Sequence, residues 1–595
     1  THARVLDTDE VLQLLCHLRL VVFVGRIAKV DIHAINELFL LTQPAHLQKL
    51  MGSSVEGEER NAARARYVRM RLYEAGAQAK QYLAQYPADR VRTTSVAWMG
   101  ATLGCAECHD HKFDPYTTRD FYSFASFFAD IQQKGVANPE ANLLLPTEEQ
   151  QRQLTELETE LAQARTALSA LEAQQKQLEE AQSAKNEAAS ETQPGEEPST
   201  EESAREEEFQ NRLAAAKSLV ADVERRQKRL LGTIRKTISP VSGEPRVMRV
   251  LHRGDWMDES GEIVEPAIPA SLGTLSTGDQ RATRLDLARW LVSRDQPQTA
   301  RVFTNRLWKL FFGRGLSSVL DDLGSQGERP SHPELLDWLA VEFMESGWDI
   351  KHMVRLMVTS STYRQSSLNN EELRRRDPQN RLLARQSRFR VEAEFVRDTA
   401  LEISGLLVKE IGGEPIRPYQ PAGYYAYLNF PKRTYSHHTS DLQYHRGVYM
   451  HWQRTFLHPM LLAFDAPSRE ECTAERPLSN TPLAALTLLN DPTFVEASRA
   501  FAERMLRDGG ETDEDRLNWA WTMGVSRRAN ERELELLRNL LEKHRAGFAA
   551  DHAAAEKLTG VGMHKPPADV DRAELAAWTS VARAILNLNE TITRN

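Results

Sequence analysis

Cysteine is scarce in this chain, with four residues in 595. That excludes the disulfide framework that staples small secreted domains. Long apolar runs are missing too. The best candidate, 12–27, is interrupted by His17, Arg19 and Arg26. It is too short and too charged to cross a bilayer, so a buried helix or strand is expected there and no transmembrane segment anywhere. Positive charge is not in excess either. Lys and Arg number 75 against 84 Asp and Glu, a formal net charge of −9. A nucleic-acid partner would favour a basic face, so none is expected. The chain opens on Thr1 and shows no leader of charged, apolar and small residues, so a processed or partial chain is expected. What is present, 41% hydrophobic and 27% charged, describes an ordinary globular protein with three or four domains.

Two of the four cysteines stand together in Gly104-Cys105-Ala106-Glu107-Cys108-His109-Asp110-His111-Lys112-Phe113-Asp114-Pro115. Cys-x-x-Cys-His is the attachment signature of a c-type haem. Two thiols three residues apart reach the vinyl groups on one porphyrin edge, and His109 then lies under the iron as proximal ligand. Other readings stay open at this point. Cys105, Cys108, His111 and Asp114 offer the sulfur, nitrogen and oxygen donors that zinc accepts. The two cysteines can also pair as a disulfide. A dithiol redox motif would need a strand before it and a helix after it, a context not seen here. Cys16 and Cys472 are expected to be buried or lone thiols.

In chain order, 1–88 reads as a helical region. Within it, Arg60, Arg64, Arg66, Arg69 and Arg71 form a solvated face or a contact for haem propionates. Residues 89–145 hold the Cys-x-x-Cys-His region. A helix over 89–104 delivers the cysteines, and a second, capped by Thr117, carries Phe121, Tyr122, Phe124, Phe127 and Phe128 as haem wall or plain core. Residues 146–236 show the clearest pattern. Leu154, Leu157, Leu161, Ala164, Leu168, Leu171 and Leu178 fall on heptad seam positions. So do Phe209, Leu213, Ala216, Val220, Val223, Gln227, Leu230 and Ile234. With a Glu-, Ser- and Pro-rich tip near 183–204, this predicts an antiparallel coiled-coil hairpin with arms of about 25 residues, or ~37 Å each. It is a spacer or a docking arm for a protein partner at its tip. Residues 237–279 form an extended linker with short strands. Residues 280–595 are a large helical domain, in which Ser331 and Glu334 are placed for a capping box. An insert at 418–450 concentrates Tyr419, Tyr424, Tyr425, Tyr427, Tyr435, Tyr444, Tyr449, His437, His438 and His445. That composition suits a glycan surface or an irregular, Tyr-stapled layer. The fold expected is mainly α and multi-domain.

Several of these segments together resemble a known family. The run 105–115, followed by Asp120-Phe121-Tyr122, resembles the planctomycete cytochrome c-like domain. Ala300-Arg301-Val302, Asn305-Arg306, Trp308, Phe312-Gly313-Arg314-Gly315-Leu316 and the 330–339 run resemble its companion domain. So do Tyr363-Arg364-Gln365-Ser366-Ser367, Phe464-Asp465-Ala466-Pro467 and Asn480-Thr481-Pro482. The resemblance covers about 89–595. It implies an exported, periplasmic bacterial protein with one covalent haem c on Cys105, Cys108 and His109, often encoded near polysaccharide-degradation or sulfatase genes. The family's reaction is unassigned. Three functions follow. The first is electron transfer or haem-dependent oxidoreduction with a redox partner protein. Its candidate sixth ligands are His252, His332, His438, His445 and Met450. The second is a glycan-binding or scaffold protein docking through the hairpin. The third is a metal-dependent hydrolase using His111 and Asp114.

Overall fold

The computed structural model describes residues 79–132, 142–189, 200–427, 433–453, 456–469 and 472–594. Among these residues the chain is mainly helical, with only two-stranded sheets. The expectations for 1–78 lie outside the described residues. The described chain divides into two compact units, one containing Asp130–Pro245 and the other Ala84–Ala129 with Arg246–Asn595. The Cys-x-x-Cys-His region and the large helical region after 280 therefore share one unit.

The first unit is the hairpin. Strand β1 (Ile131–Gln132) pairs with β4 (Val241–Ser242), and β2 (Leu143–Leu145) with β3 (Arg235–Thr237), both antiparallel and nested. Between β2 and β3 run the helices numbered third and fourth, α3 (Glu148–Ala189) and α4 (Thr200–Thr233), of 42 and 34 residues. They are longer than the sequence suggested, about 63 and 51 Å at ~1.5 Å per residue. The expected tip at 183–204 shrinks because its Glu, Ala and Lys are good helix formers once a seam props them up. Leu154, Leu161, Ala164, Leu213, Val223 and Ile234 are buried, on the predicted seam. Arg165 meets Glu224 at 2.7 Å and Arg226 meets Glu160 at 2.5 Å across the arms. The seam frays outward, leaving Leu178 45% exposed.

The second unit starts within α1 (Ala79–Thr94), which runs straight through Pro87. Burial of Ala88 and Val91 overrides the local break expected at proline. A π turn, Ser95–Met99, follows and ends at Gly100, which is left-handed (φ 54°). A Cβ there would also lie 2.8 Å from Val302 Cγ2, so both conformation and space demand glycine. Helix α2 (Thr118–Ala125) begins with the expected cap, reinforced by Asp120 in a reciprocal box. Phe121, Tyr122, Phe124 and Phe127 all turn into a core with Met99, Leu103, Ala106, Val264 and Leu287. They are core residues. Strands β5 (Met248–Arg249) and β6 (Ile263–Val264) pair beside them.

The remaining helices are α5 (Arg284–Leu291), α6 (Pro297–Phe312), α7 (Pro333–Glu345), α8 (Ile350–Thr359), α9 (Glu371–Arg376) and α10 (Ala393–Ser404). Then come α11 (Pro459–Ala463), α12 (Pro482–Asn490), α13 (Pro492–Asp508), α14 (Asp513–Val525), α15 (Glu531–Ala550), α16 (His552–Thr559) and α17 (Arg572–Leu586). Helices α6, α7 and α8 share one core; α10 through α15 and α17 share another, and α16 packs on α17. The terminal strand β8 (Thr593–Arg594) returns to β7 (Phe389–Arg390). The capping box expected at Ser331 and Glu334 does not form. His332 is the cap residue, without a side-chain bond. Ser331 N–H donates to Leu316 O and its hydroxyl lies 3.0 Å from His332 Nδ1, so it is committed elsewhere.

Candidate functional site

The Cys-x-x-Cys-His run sits on a 3-10 turn, Leu103–Glu107, immediately after Gly100. Leu103 and Ala106 anchor the inner side of that turn in the core, so Cys105 and Cys108 point outward as exposed, free thiols. His109 follows, also exposed. Its Nδ1 lies 2.8 Å from the Asp110 carbonyl. A carbonyl only accepts, so that nitrogen carries the proton and Nε2 keeps its lone pair. Metal-binding histidines are held in this way, the second nitrogen oriented by a backbone oxygen. Asp110 is fixed in turn, its Oδ1 accepting from Thr118 N–H at 2.8 Å.

His111 is the opposite case. Its side chain is 3% exposed. Nδ1 accepts from the Asp114 and Phe113 amides at 2.9 and 3.3 Å. The proton is therefore on Nε2, which donates to Thr102 Oγ1 at 3.0 Å. Both nitrogens are occupied by protein. Asp114 Oδ1 accepts from Ser325 N–H at 2.8 Å, while Oδ2 is buried without a partner. Gly324 packs against that carboxylate, where a Cβ would stand 2.6 Å from Oδ2. His111 thus ties the motif loop to itself, and Asp114 staples it to the loop after α6. Among the described residues, no group of three or more His, Cys, Asp and Glu stands in metal-holding geometry, Cys105, Cys108, His111 and Asp114 included.

Helix α6 steadies the motif from behind. The Arg306 guanidinium donates to Ala97 O at 2.8 Å and Val96 O at 2.6 Å, satisfying carbonyls the π turn leaves open. Asn305 exchanges two bonds with Ser317. Tyr122 donates its hydroxyl to Glu107 O at 3.0 Å, and burial pushes that phenol above its ordinary range. A turn at 252–254 closes on the motif. Gly254 (φ 72°) lies against Cys108, with Sγ 3.4 Å from where its Cβ would be.

The candidate sixth ligands are scattered. His252 is on that same turn, exposed, with Nδ1 3.0 Å from Asp258 Oδ2. Hydrogen bonds from Ser260 first, and then His252, pull the Asp258 carboxyl down to about 2. His332 precedes α7. His438 Nδ1 accepts from the Arg417 amide at 3.1 Å. His445 is buried, its carbonyl accepting from Arg397 at 2.6 Å. Met450 is part of the α10–α17 core, not of the core beneath the cysteines.

The Tyr/His insert is a stapled layer. Tyr419 and Tyr444 donate to buried Glu496 at 2.9 and 2.7 Å. Tyr424 and Tyr435 donate to Leu457 O and Pro418 O. Tyr449 accepts from the Gly412 amide. Tyr427, 82% exposed, stands apart from this pattern. His458 was missed by sequence reasoning because it lies outside the cluster. It is buried, bonded to Tyr419 O at 2.7 Å, and burial lowers it to about 4. Cys472 is an exposed, free thiol in an irregular segment before α12, the lone-thiol alternative of the two expected.

Comparison with known families separates the chain into three stretches. Residues 283–541 match PSD1, described as a protein of unknown function (DUF1553). Residues 45–133 match PSCyt2, a protein of unknown function (DUF1549), which encloses the Cys-x-x-Cys-His run. These are the planctomycete-type companion pair that the motifs resemble. Residues 1–82 match the C-terminal domain of the protein-arginine kinase McsB, overlapping the second model at 45–82. Curated relatives include the protein-arginine kinases of Syntrophomonas wolfei, 43% identical over 72 residues, and of Geobacillus stearothermophilus, 41% identical over 71. Each alignment covers 12% of this chain and 20% of the relative, so the chain spans about a fifth of the length of the curated relatives it matches. No solved structure matches. Among the described residues no helix is long and apolar enough to cross a membrane.

Proposed function

We propose that this chain is an exported, periplasmic c-type haem protein that transfers electrons, or supports haem-dependent oxidoreduction, with a redox partner protein. One observation carries the reading. Cys105 on the 3-10 turn and Cys108 at its C-terminal cap present two free thiols, directly before a histidine whose Nδ1–H is held by a carbonyl and whose Nε2 keeps its lone pair. These residues fit a covalent haem, with thioethers at both sulfurs and iron at His109 Nε2. Bound there, the group would supply one-electron chemistry. The chain's own part is to hold and tune. Asp110 O orients the imidazole, Arg306 and the Asp114–Ser325 bond fix the loop carrying it, and the glycine turn at 254 leaves Cys108 room. The glycan-binding alternative has less support, since the tyrosine hydroxyls it needs are mostly committed within the fold.

A pyridine haemochrome spectrum on protein from its native source, recorded after denaturation, tests the proposal. A c-type spectrum that survives denaturation and disappears in Cys105→Ser/Cys108→Ser supports it. Protein without haem, carrying stoichiometric zinc or another metal, overturns it.

A further inference from the structure

Seven arginines and one acidic residue occupy 374–390. Three of the seven are structural. Arg381 pairs with Glu328, Arg385 donates to the Asp377 and Pro378 carbonyls at 3.2 Å, and Arg390 meets Asp465 at 2.6 Å. The rest are not. Arg374, Arg375 and Arg376, on α9, are exposed and their side chains have no ion pair or hydrogen bond among the described residues. Backbone and side-chain bonds bring the two legs of this loop together. Gln386 N–H donates to Ser366 O at 3.0 Å, and Arg388 Nε donates to Ser367 Oγ at 3.2 Å. Arg364 and Arg388, both exposed, therefore lie on adjoining segments at the neck, with α9 at the head. Leu368 and Leu382 flank α9 and are 74% and 61% exposed. Arginine beside apolar anchors is the composition of a protein-binding surface.

The complementary surface is in the same chain. Residues 179–208 hold eleven acidic against two basic residues, a formal −9, which equals the net charge of the whole protein. Within the described part, Glu179, Glu180, Glu206, Glu207 and Glu208 are exposed near the outer end of α3 and α4. Continuing the Glu160–Arg226 pairing outward sets Glu179 and Glu180 opposite Glu207 and Glu206, with Glu208 beside them. Leu178 is half-exposed beside them. One surface is basic with bare leucines; the other is acidic with a bare leucine.

We infer that the basic loop around α9 is a docking site for the acidic outer end of the hairpin of a second copy of this chain. Two copies can exchange this contact reciprocally, closing a twofold dimer. Opposed surface charges steer and register such encounters, and salt screens them.

The test is sedimentation velocity of the full chain across a concentration series, at roughly 0.02 M and roughly 0.5 M salt. Concentration-dependent association is expected at low salt and its loss at high salt. Arg374→Glu/Arg375→Glu/Arg376→Glu is expected to weaken association about tenfold or more, as is Glu206→Lys/Glu207→Lys/Glu208→Lys. Mixing the two charge-reversed chains is expected to restore it. Circular dichroism of each variant checks folding, and the salt series on the unmodified chain gives a readout that needs no variant. A monomer at every concentration in low salt overturns the inference. So does association indifferent to salt and to both reversals, or failure of the mixed pair to associate.

Discussion

His109 and His111 are two residues apart and chemically opposite. One keeps a free Nε2 because a carbonyl takes its Nδ1–H; the other spends both nitrogens on the loop that carries the first. The sequence offered both as ligands, because residue type says nothing of tautomer. Only the turn geometry around Thr102 and Asp114 separates them. Asp114 is therefore structural. Asp114→Ala, which strands the Ser325 amide, is expected to cost about 1–3 kcal/mol in urea unfolding, and Asp114→Asn, which keeps an acceptor there, less. His458 gives a second test. Its folded pKa, about 4, lies below its ordinary value of 6.5. The unfolded chain thus binds the extra proton first as pH falls. The stability contributed by this group is complete above pH ~6.5 and is lost progressively down to pH ~4, up to about 3 kcal/mol. Urea midpoints at pH 7 and 4.5 are expected to differ more for the native chain than for His458→Gln.

At the scale of elements, the periodic patterns were readable and the irregular ones were not. The heptads of α3 and α4 predicted the seam because a seam needs only spacing. Leu161→Ala, which opens a hole in that seam, is expected to cost about 2–3 kcal/mol and to raise protease cutting within 148–233. Thr117 and Asp120 formed the cap foreseen, since Thr117 has nothing else to bind. Ser331 did not, since Leu316 and His332 claimed it first. The turn at 252–254 was legible only as part of an extended linker with short strands. Its left-handed Arg253 and Gly254, and its approach to Cys108, come from tertiary packing that no local pattern encodes.

Across the whole molecule, helical content was evident from composition and periodicity, while the partition into units was not. The motif region and the large helical domain share a unit because Arg306, Ser325 and Gln298 reach back over about two hundred residues to grip it. Charge is as unevenly shared as contacts. Removing 179–208 takes away a formal −9 and leaves zero. That shortened chain is expected to need less polyethylene glycol to precipitate at neutral pH and low salt than the full protein does. The nested ladders β1–β4 and β2–β3 bring the chain back to where it left. The arm they carry is consequently a detour in the covalent path, open to growth or pruning over generations. Each heptad gained on both helices extends its span by about 10 Å, and the register at its root stays as it was.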